Sequence, residues 1–206
     1  MDVSVVVCCY NEEKFIDRCL RSLVDQEFFG KYEIIVVDDC STDNSHVGLL
    51  RFSNHVKIIN NTRNRGIGFS SQAGINNAIG KFLVRVDADD FVSRYFLQSL
   101  FLSINEGQHA AVACDYTLVN EEGNFLGFGN PDSKPIACGV IYSRDVLNEL
   151  GGYDPNAKIY EDVDLRRRFL EKFEIIRLAI PLYKYRLHHN NSTGPAAVAA
   201  HMDMIV

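Results

Sequence analysis

Three short runs constrain this chain more than anything else in it: VSVVVCC (Val3 to Cys9), IIVV (Ile34 to Val37) and the strand-like stretch KFLVRV (Lys81 to Val86). The first is read as continuously apolar and rich in β-branched residues, the pattern of a strand covered on both faces; the second is another buried strand and the third a further apolar, strand-like run. Each stops abruptly in polar residues, in CCYNEE, VDDCSTD and VDADD. Between them lie segments of helical spacing. Phe15, Ile16, Cys19, Leu20 and Leu23 mark one helix, with Asn11 as its expected cap. VKIINN (Val56 to Asn61) predicts a short third strand, and GFSSQAGINNAIG a small-residue helix that must lie close to its neighbours. A further helix follows through Phe96, Leu97, Leu100, Phe101 and Ile104. The order βαβ(α)βαβα predicts an α/β fold with a doubly wound, mainly parallel central sheet and flanking helices.

Beyond residue 110 the pattern becomes mixed. AAVACDYTLV predicts a strand, EEGNFLGF a hairpin-like turn, and GVIYSRDVLNELGGYD a strand and then a helix ended by Gly151 and Gly152. YEDVDLRRRFLE is amphipathic, and RLAIPLYKYRLH predicts a last strand. With 206 residues and no repeat, linker or low-complexity tract, residues 1–206 are expected to form a single domain. The end, AAVAAHMDMIV, carries no capping or turn signal, which suggests that a further segment is missing.

The formal net charge of -6 argues against broad nucleic-acid binding but permits a local metal or phosphate site. Six cysteines without a CxxC pair, two of them adjacent in an apolar strand, point to reduced thiols in a cytoplasmic protein. The opening MDVSVVV lacks the basic region of a signal peptide, and no apolar run approaches the roughly 20 residues of a spanning helix.

In LVRVDADDF, Leu83 to Phe91, three carboxylates crowd the end of a strand. In open α/β sheets ligands bind beyond the carboxyl ends of the strands, where strand order reverses. Acidic clusters at equivalent strand ends would converge there. D-x-D spacing suits a hard divalent cation, which removes the repulsion and lets an acidic site take a diphosphate. No Walker-type glycine-lysine loop is present, so metal and backbone groups must hold the phosphates. A solvated acidic turn is the plain alternative.

VSVVVCCYNEEKFIDRCLRSL, EIIVVDDCSTDNS, NRGIG…AGINNAIGKFLVRVDADD, GGYDPNAKIYEDVDLRRRF and YRLHHNNST follow one another as in the family 2 glycosyltransferases, which this chain resembles over residues 3 to 193. The resemblance implies the GT-A fold, a nucleotide-sugar-binding half over about residues 1–110 and an acceptor and catalytic half over about 111–195. It also implies inverting transfer of a sugar from a nucleotide diphosphate sugar, commonly UDP-linked, with Mn²⁺ or Mg²⁺ as cofactor. The resemblance implies that Cys9, Tyr10 and Glu12 bind the nucleotide donor, with Tyr10 where the family packs the base and Asp39 where a carboxylate meets it. Asn64 falls at a donor-contacting position. Asp87 and Ala88 open the D-x-D element near the ribose, and Asp89 is its metal-binding carboxylate. His188 matches a late histidine that approaches metal or diphosphate; neutral imidazole suits Mn²⁺ better than Mg²⁺. Glu161 and Asp162 match the ED element, whose aspartate is the usual general base, a role helped by ionisation at a helix start. Asp90 is left to orient the turn or cap the following helix.

Two departures stand out. Cys8-Cys9 replaces Pro-Thr or Pro-Val, which alters the base-contacting loop. Ser70-Ser71-Gln72 replaces Ala-Arg-Asn, so a donor contact is weakened or Arg65 substitutes for the lost arginine. The plain readings remain: an acidic pair favoured by a helix dipole at Glu161 and Asp162, core packing for Tyr10, exposed turn residues for His188 and His189. Arg166 to Arg168 reads as a solvated helix face that could also attract an anionic membrane or acceptor. The Asn60 to Thr62 and Asn190 to Thr193 sequons are accidental in a cytoplasmic chain. The expected activity is transfer to a saccharide or lipid-linked acceptor at the cytoplasmic membrane face. A sugar-nucleotidyltransferase lacks its glycine-rich basic loop here, and a catalytically weak nucleotide-sugar-binding module is the non-enzymatic alternative.

Overall fold

The computed structural model describes residues 1–157 and 160–188. Strands β1 (Val3–Cys9), β2 (Tyr32–Asp38), β3 (Lys57–Asn60) and β4 (Phe82–Asp87) run parallel in the order β3-β2-β1-β4. They are joined through helices α1 (Ile16–Val24), α2 (Ser45–Leu50) and α3 (Ile67–Asn76). Every residue of β1 is buried, as its unbroken apolar run requires. Val3, Val5 and Val7 pack with Cys19, Leu20 and Leu23 of α1 and with Leu97 and Leu100 of α4 (Phe96–Gly107). On the opposite face Ile35, Val37 and Leu83 meet Ile75 of α3 and Leu165 and Phe169 of α6 (Glu161–Leu170). Burying each such side chain contributes about 1.5–3 kcal/mol.

The second half extends the same sheet in mixed sense. β8 (Val140–Ser143) pairs antiparallel with β4 and with β6 (Ala111–Val119), and β9 (Ile175–Arg186) runs parallel to β6. β5 (Phe91–Val92) pairs antiparallel with β9, and β7 (Phe125–Gly129) forms a hairpin with β6. One nine-stranded sheet results, its first, parallel part continued by a mixed part. Helix α5 (Arg144–Glu149) ends at Gly151 and Gly152, both at positive φ, where the sequence placed its stop.

The small residues of α3 are needed for close approach. A Cβ on Gly74 would lie 2.2 Å from Cγ1 of Val6, and one on Gly68 would lie 2.5 Å from the carbonyl oxygens of Asp154 and Ala157. Helix α3 thus touches β1 on one side and the loop leading to α6 on the other.

Several local expectations need correction. Asn11 does not cap α1, which begins at Ile16 without any side-chain cap. It sits at φ 59° and accepts a 2.7 Å bond from the Thr42 amide, because the loops after β1 and β2 lie side by side and compete for it. Asp90 does not cap α4, whose first residue lies beyond β5. The last strand starts at Ile175 rather than Arg177, and β3 begins at Lys57 rather than Val56. Of the arginine run, Arg168 donates to the carbonyls of Leu150 and Gly152, so it secures the glycine turn. Arg167 is neutralised by Asp164 and Glu171. Residues 189–206, with His189, the second sequon and the apolar end, and residues 158–159 lie outside the described residues.

Candidate active site

Strand order reverses between β1 and β4: the chain leaves β1 through β2 to β3, then returns to β1's other side. The carboxyl ends of β1, β2 and β4 open there, which is where an α/β sheet forms its ligand crevice. Tyr10 follows β1 and is 44% exposed, so it is not core packing. Beside it Glu12, anchored by its amide on Ser45 Oγ at 2.7 Å, has its carboxyl pushed up to about 8. Burial is the main cause, followed by the negative charge of Asp89 and Asp87.

Asp39, after β2, is buried and accepts from Asn61 Nδ2 at 2.7 Å, the Arg65 amide at 2.9 Å and the Gly66 amide at 2.7 Å. It therefore holds the loop that presents exposed Asn64. Gly66, at φ 87°, lets the chain turn into α3. Arg65 stacks its guanidinium on the Phe69 ring at 3.9 Å.

At the end of β4, carboxylate oxygens of Asp87, Asp89 and Asp90 lie within 4.8 Å of one another. Their partners separate them. Asp90, 1% exposed, accepts from the Tyr183 hydroxyl at 2.6 Å and the Arg186 amide at 2.7 Å, so it faces inward and orients the turn. Burial and the charges of Asp89 and Asp87 raise its carboxyl well above the usual range. Tyr183 also accepts from the Asp87 amide at 3.2 Å. Asp89 meets His188 Nε2 at 2.9 Å, and its carbonyl accepts from Arg186 Nε at 2.6 Å. The Arg186 guanidinium lies 4.7 Å from the Phe15 ring and 5.3 Å from the Phe91 ring, and it also donates to the Glu121 carbonyl. Asp87 accepts from Arg85 Nε at 3.0 Å.

Glu161 and Asp162 open α6 after Tyr160, which holds φ 63°. Glu161 is buried and accepts from Arg85 NH1 at 2.7 Å. Asp162 is half-buried and has no hydrogen bond or ion pair among the described residues. The two acidic neighbours thus differ: one is a structural counter-ion, the other is available to a ligand.

Asp89 and His188 form a carboxylate-imidazole pair on the outer side of the turn, with Asp87 adjacent. That donor set fits Mn²⁺ or Mg²⁺, whereas Asp90, already saturated, does not belong to it. The sequence readings missed Arg85, Tyr183 and Arg186. A lone arginine inside the apolar run LVRVD was a usable signal for the first. The other two depend on a strand about a hundred residues downstream, which no local pattern announces.

The sequence profile of glycosyl transferase family 2 matches residues 4–175. A Haemophilus influenzae protein described as an uncharacterized glycosyltransferase is 32% identical over 93% of this chain and 67% of its own length. Glycosyltransferase GlyA of Streptococcus pneumoniae is 32% identical over 90% of this chain and 25% of its own. The chain thus spans between a quarter and two thirds of these relatives. Among solved structures, S. aureus TarS in complex with UDP-GlcNAc superposes with a TM-score of 0.80 at 25% identity, covering 93% of this chain and 60% of that one. A Pyrobaculum calidifontis mannosyltransferase in complex with GDP-Man and Mn²⁺, at 18% identity, shares the fold with a TM-score of 0.72. A profile match over most of the chain, on a sheet whose switch point gathers these carboxylates, settles the assignment: this protein belongs to glycosyl transferase family 2.

Proposed function

We propose that the chain carries a metal-dependent, inverting glycosyltransferase site that moves a sugar from a UDP-sugar to a saccharide or lipid-linked acceptor. The observation that carries this reading is the pairing of Asp89 with His188 at the switch point, while Asp162 stands available at the start of α6. The UDP-GlcNAc complex of TarS supports UDP as the nucleotide. Tyr10 and the Asp39-held loop with Asn64 would frame the base, with Cys9 and Glu12 beneath it and Asp87 and Ala88 near the ribose. No helix of the described residues is long and apolar enough to cross a membrane. Action at the cytoplasmic membrane face, through peripheral contact with the acceptor, belongs to the same proposal.

Asp162 removes the proton from the acceptor hydroxyl as its oxygen bonds to the anomeric carbon. The bond from that carbon to the diphosphate oxygen breaks on the opposite face, and its electron pair leaves with UDP, so the configuration inverts. Asp162 stands in the first turn of α6, where the helix dipole favours a negatively charged side chain. Asp89 and His188 would hold a Mn²⁺ or Mg²⁺, which when bound would supply positive charge toward the diphosphate as its negative charge grows.

Calorimetry tests the cation directly: UDP binding should weaken at least about tenfold on adding EDTA. Equal affinity with and without chelator would remove the metal role. A panel of radiolabelled UDP-sugars with Mn²⁺ should yield transfer, and Asp162→Asn should abolish it with UDP affinity within about threefold of wild type. Unchanged turnover would remove Asp162 as base.

A further inference from the structure

Arg85 is a charged residue in the middle of a buried strand, 7% exposed and flanked by Val84 and Val86. Burial alone disfavours a guanidinium there, so its partners must account for it. Its fork divides between two elements that carry different parts of the site. Nε and NH2 face Asp87 at 3.0 and 3.5 Å, at the head of the acidic turn. NH1 faces Glu161 at 2.7 Å, the residue before Asp162. NH1 also approaches Ser71 Oγ at 3.4 Å, and Cys8 Sγ lies 3.4 Å from the same hydroxyl. The space over Ser71, where the family pattern has arginine, is therefore filled by a guanidinium arriving from β4.

We infer that Arg85 is a positioning residue that fixes the start of α6, and with it Asp162, against the donor turn, supplying from β4 the guanidinium that position 71 lacks. The inference rests on the proposed function for its kinetic consequence, while the clamp itself is a property of the free protein. A purely structural need would not select this arrangement, because a well-packed apolar pair fills such a space as stably as an ion pair does. A planar fork shared between two carboxylates adds fixed relative orientation of the elements that bear them. Arg65 does not compete for the role, since its guanidinium is stacked on Phe69.

The test uses the full chain and four proteins: wild type, R85M/E161M, R85K and R85L/S71R. R85M/E161M removes the guanidinium together with its buried counter-ion, leaving only the partly exposed Asp87 to solvent, and should melt within about 3 °C of wild type. Without any donor, amide exchange at residues 160–164 should nonetheless rise at least about tenfold. With the UDP-sugar used by wild type, kcat should fall at least about 30-fold while donor KM changes less than about threefold. R85K keeps the charge without the fork and should lose about fivefold to tenfold in kcat. R85L/S71R should recover at least about a third of wild-type kcat, by returning a guanidinium to the same carboxylates. A folded R85M/E161M with exchange and kcat within about threefold of wild type overturns the clamp. Absence of recovery in a folded R85L/S71R overturns the substitution for position 71. If R85M/E161M does not fold, an R85K that matches wild type in both readouts overturns the clamp instead. Should wild type use no UDP-sugar at all, the proposed function fails, and the exchange measurement still decides the clamp.

Discussion

Removing the Tyr183 hydroxyl, as Tyr183→Phe, should destabilise the protein by about 2–3 kcal/mol. The ring stays: it is fully buried, and its packing against Phe96 at 6.1 Å is kept by phenylalanine. What is lost is one oxygen with two bonds, a donation to Asp90 Oδ2 at 2.6 Å and an acceptance from the Asp87 amide at 3.2 Å. A buried donor or acceptor left without a partner costs about 1–3 kcal/mol, more when charged. Asp90 is held toward its neutral acid by burial and by Asp89 and Asp87, which keeps the total near the lower end of the two-group sum. For a chain of this length about 2–3 kcal/mol corresponds to a fall in Tm of roughly 5–10 °C, read by circular dichroism at pH 7. Asp90→Asn is the control, because asparagine resembles the neutral acid and keeps an acceptor for Tyr183 or Arg186. It should cost less than about 1 kcal/mol. The folded-state carboxyl of Asp90 is raised above its unfolded value, so its contribution is present at low pH and fades as pH rises; Asp90→Asn flattens that slope. A Tyr183→Phe protein less than about 0.5 kcal/mol down, or an Asp90→Asn protein that is the worse of the two, would refute this account of the turn.

Glu12 gives a second pH signature. Its carboxyl is raised from 4.5 to about 8, so between those values the folded state holds the proton more tightly and stability falls as pH rises. After solvent screening of a half-buried group the loss amounts to about 2 kcal/mol, and urea midpoints of Glu12→Gln should not show it between pH 5 and 8.5. In α3, Gly74→Ala places a methyl 2.2 Å from Val6 Cγ1 and should cost about 1–3 kcal/mol by overpacking, despite the better helix propensity of alanine. A stabilised Gly74→Ala protein, by the same denaturation assay, would show that the α3–β1 spacing is looser than described.

What was legible in the sequence follows the range of the forces involved. β1, β2 and β4 announce themselves because a strand covered on both faces admits only apolar side chains, so burial is written into consecutive residues. The close approach of α3 was legible for the same reason: only small residues fit between Val6 and the carbonyls of Asp154 and Ala157. β5 was not, since two residues carry no period, and Phe91 and Val92 become a strand only because Lys184 and Tyr183 pass beside them. Asn11 failed as a cap because a neighbouring loop offered its side chain the Thr42 amide, a partner 31 residues away.

The site divides along the same line. Residue types and spacing gave the acidic turn and the Glu161-Asp162 pair, but their roles depend on partners from elsewhere in the chain. Asp87, Asp89 and Asp90 look equivalent in sequence. Tyr183 and the Arg186 amide turn Asp90 inward, Arg85 takes hold of Asp87, and Asp89 is left to meet His188. Two of those three fates are decided by β9 and the residues just after it, so the acidic turn cannot be arranged until the last strand has been added to the sheet. Mutations in β9 that spare its packing should therefore disturb cation and donor binding at β4, and Tyr183→Phe is the smallest such change: its UDP affinity in the presence of Mn²⁺ should fall at least about threefold at temperatures where it remains folded. Wild-type affinity in that variant would mean that the turn holds its shape without β9, and the separation of the three carboxylates would then need a local cause.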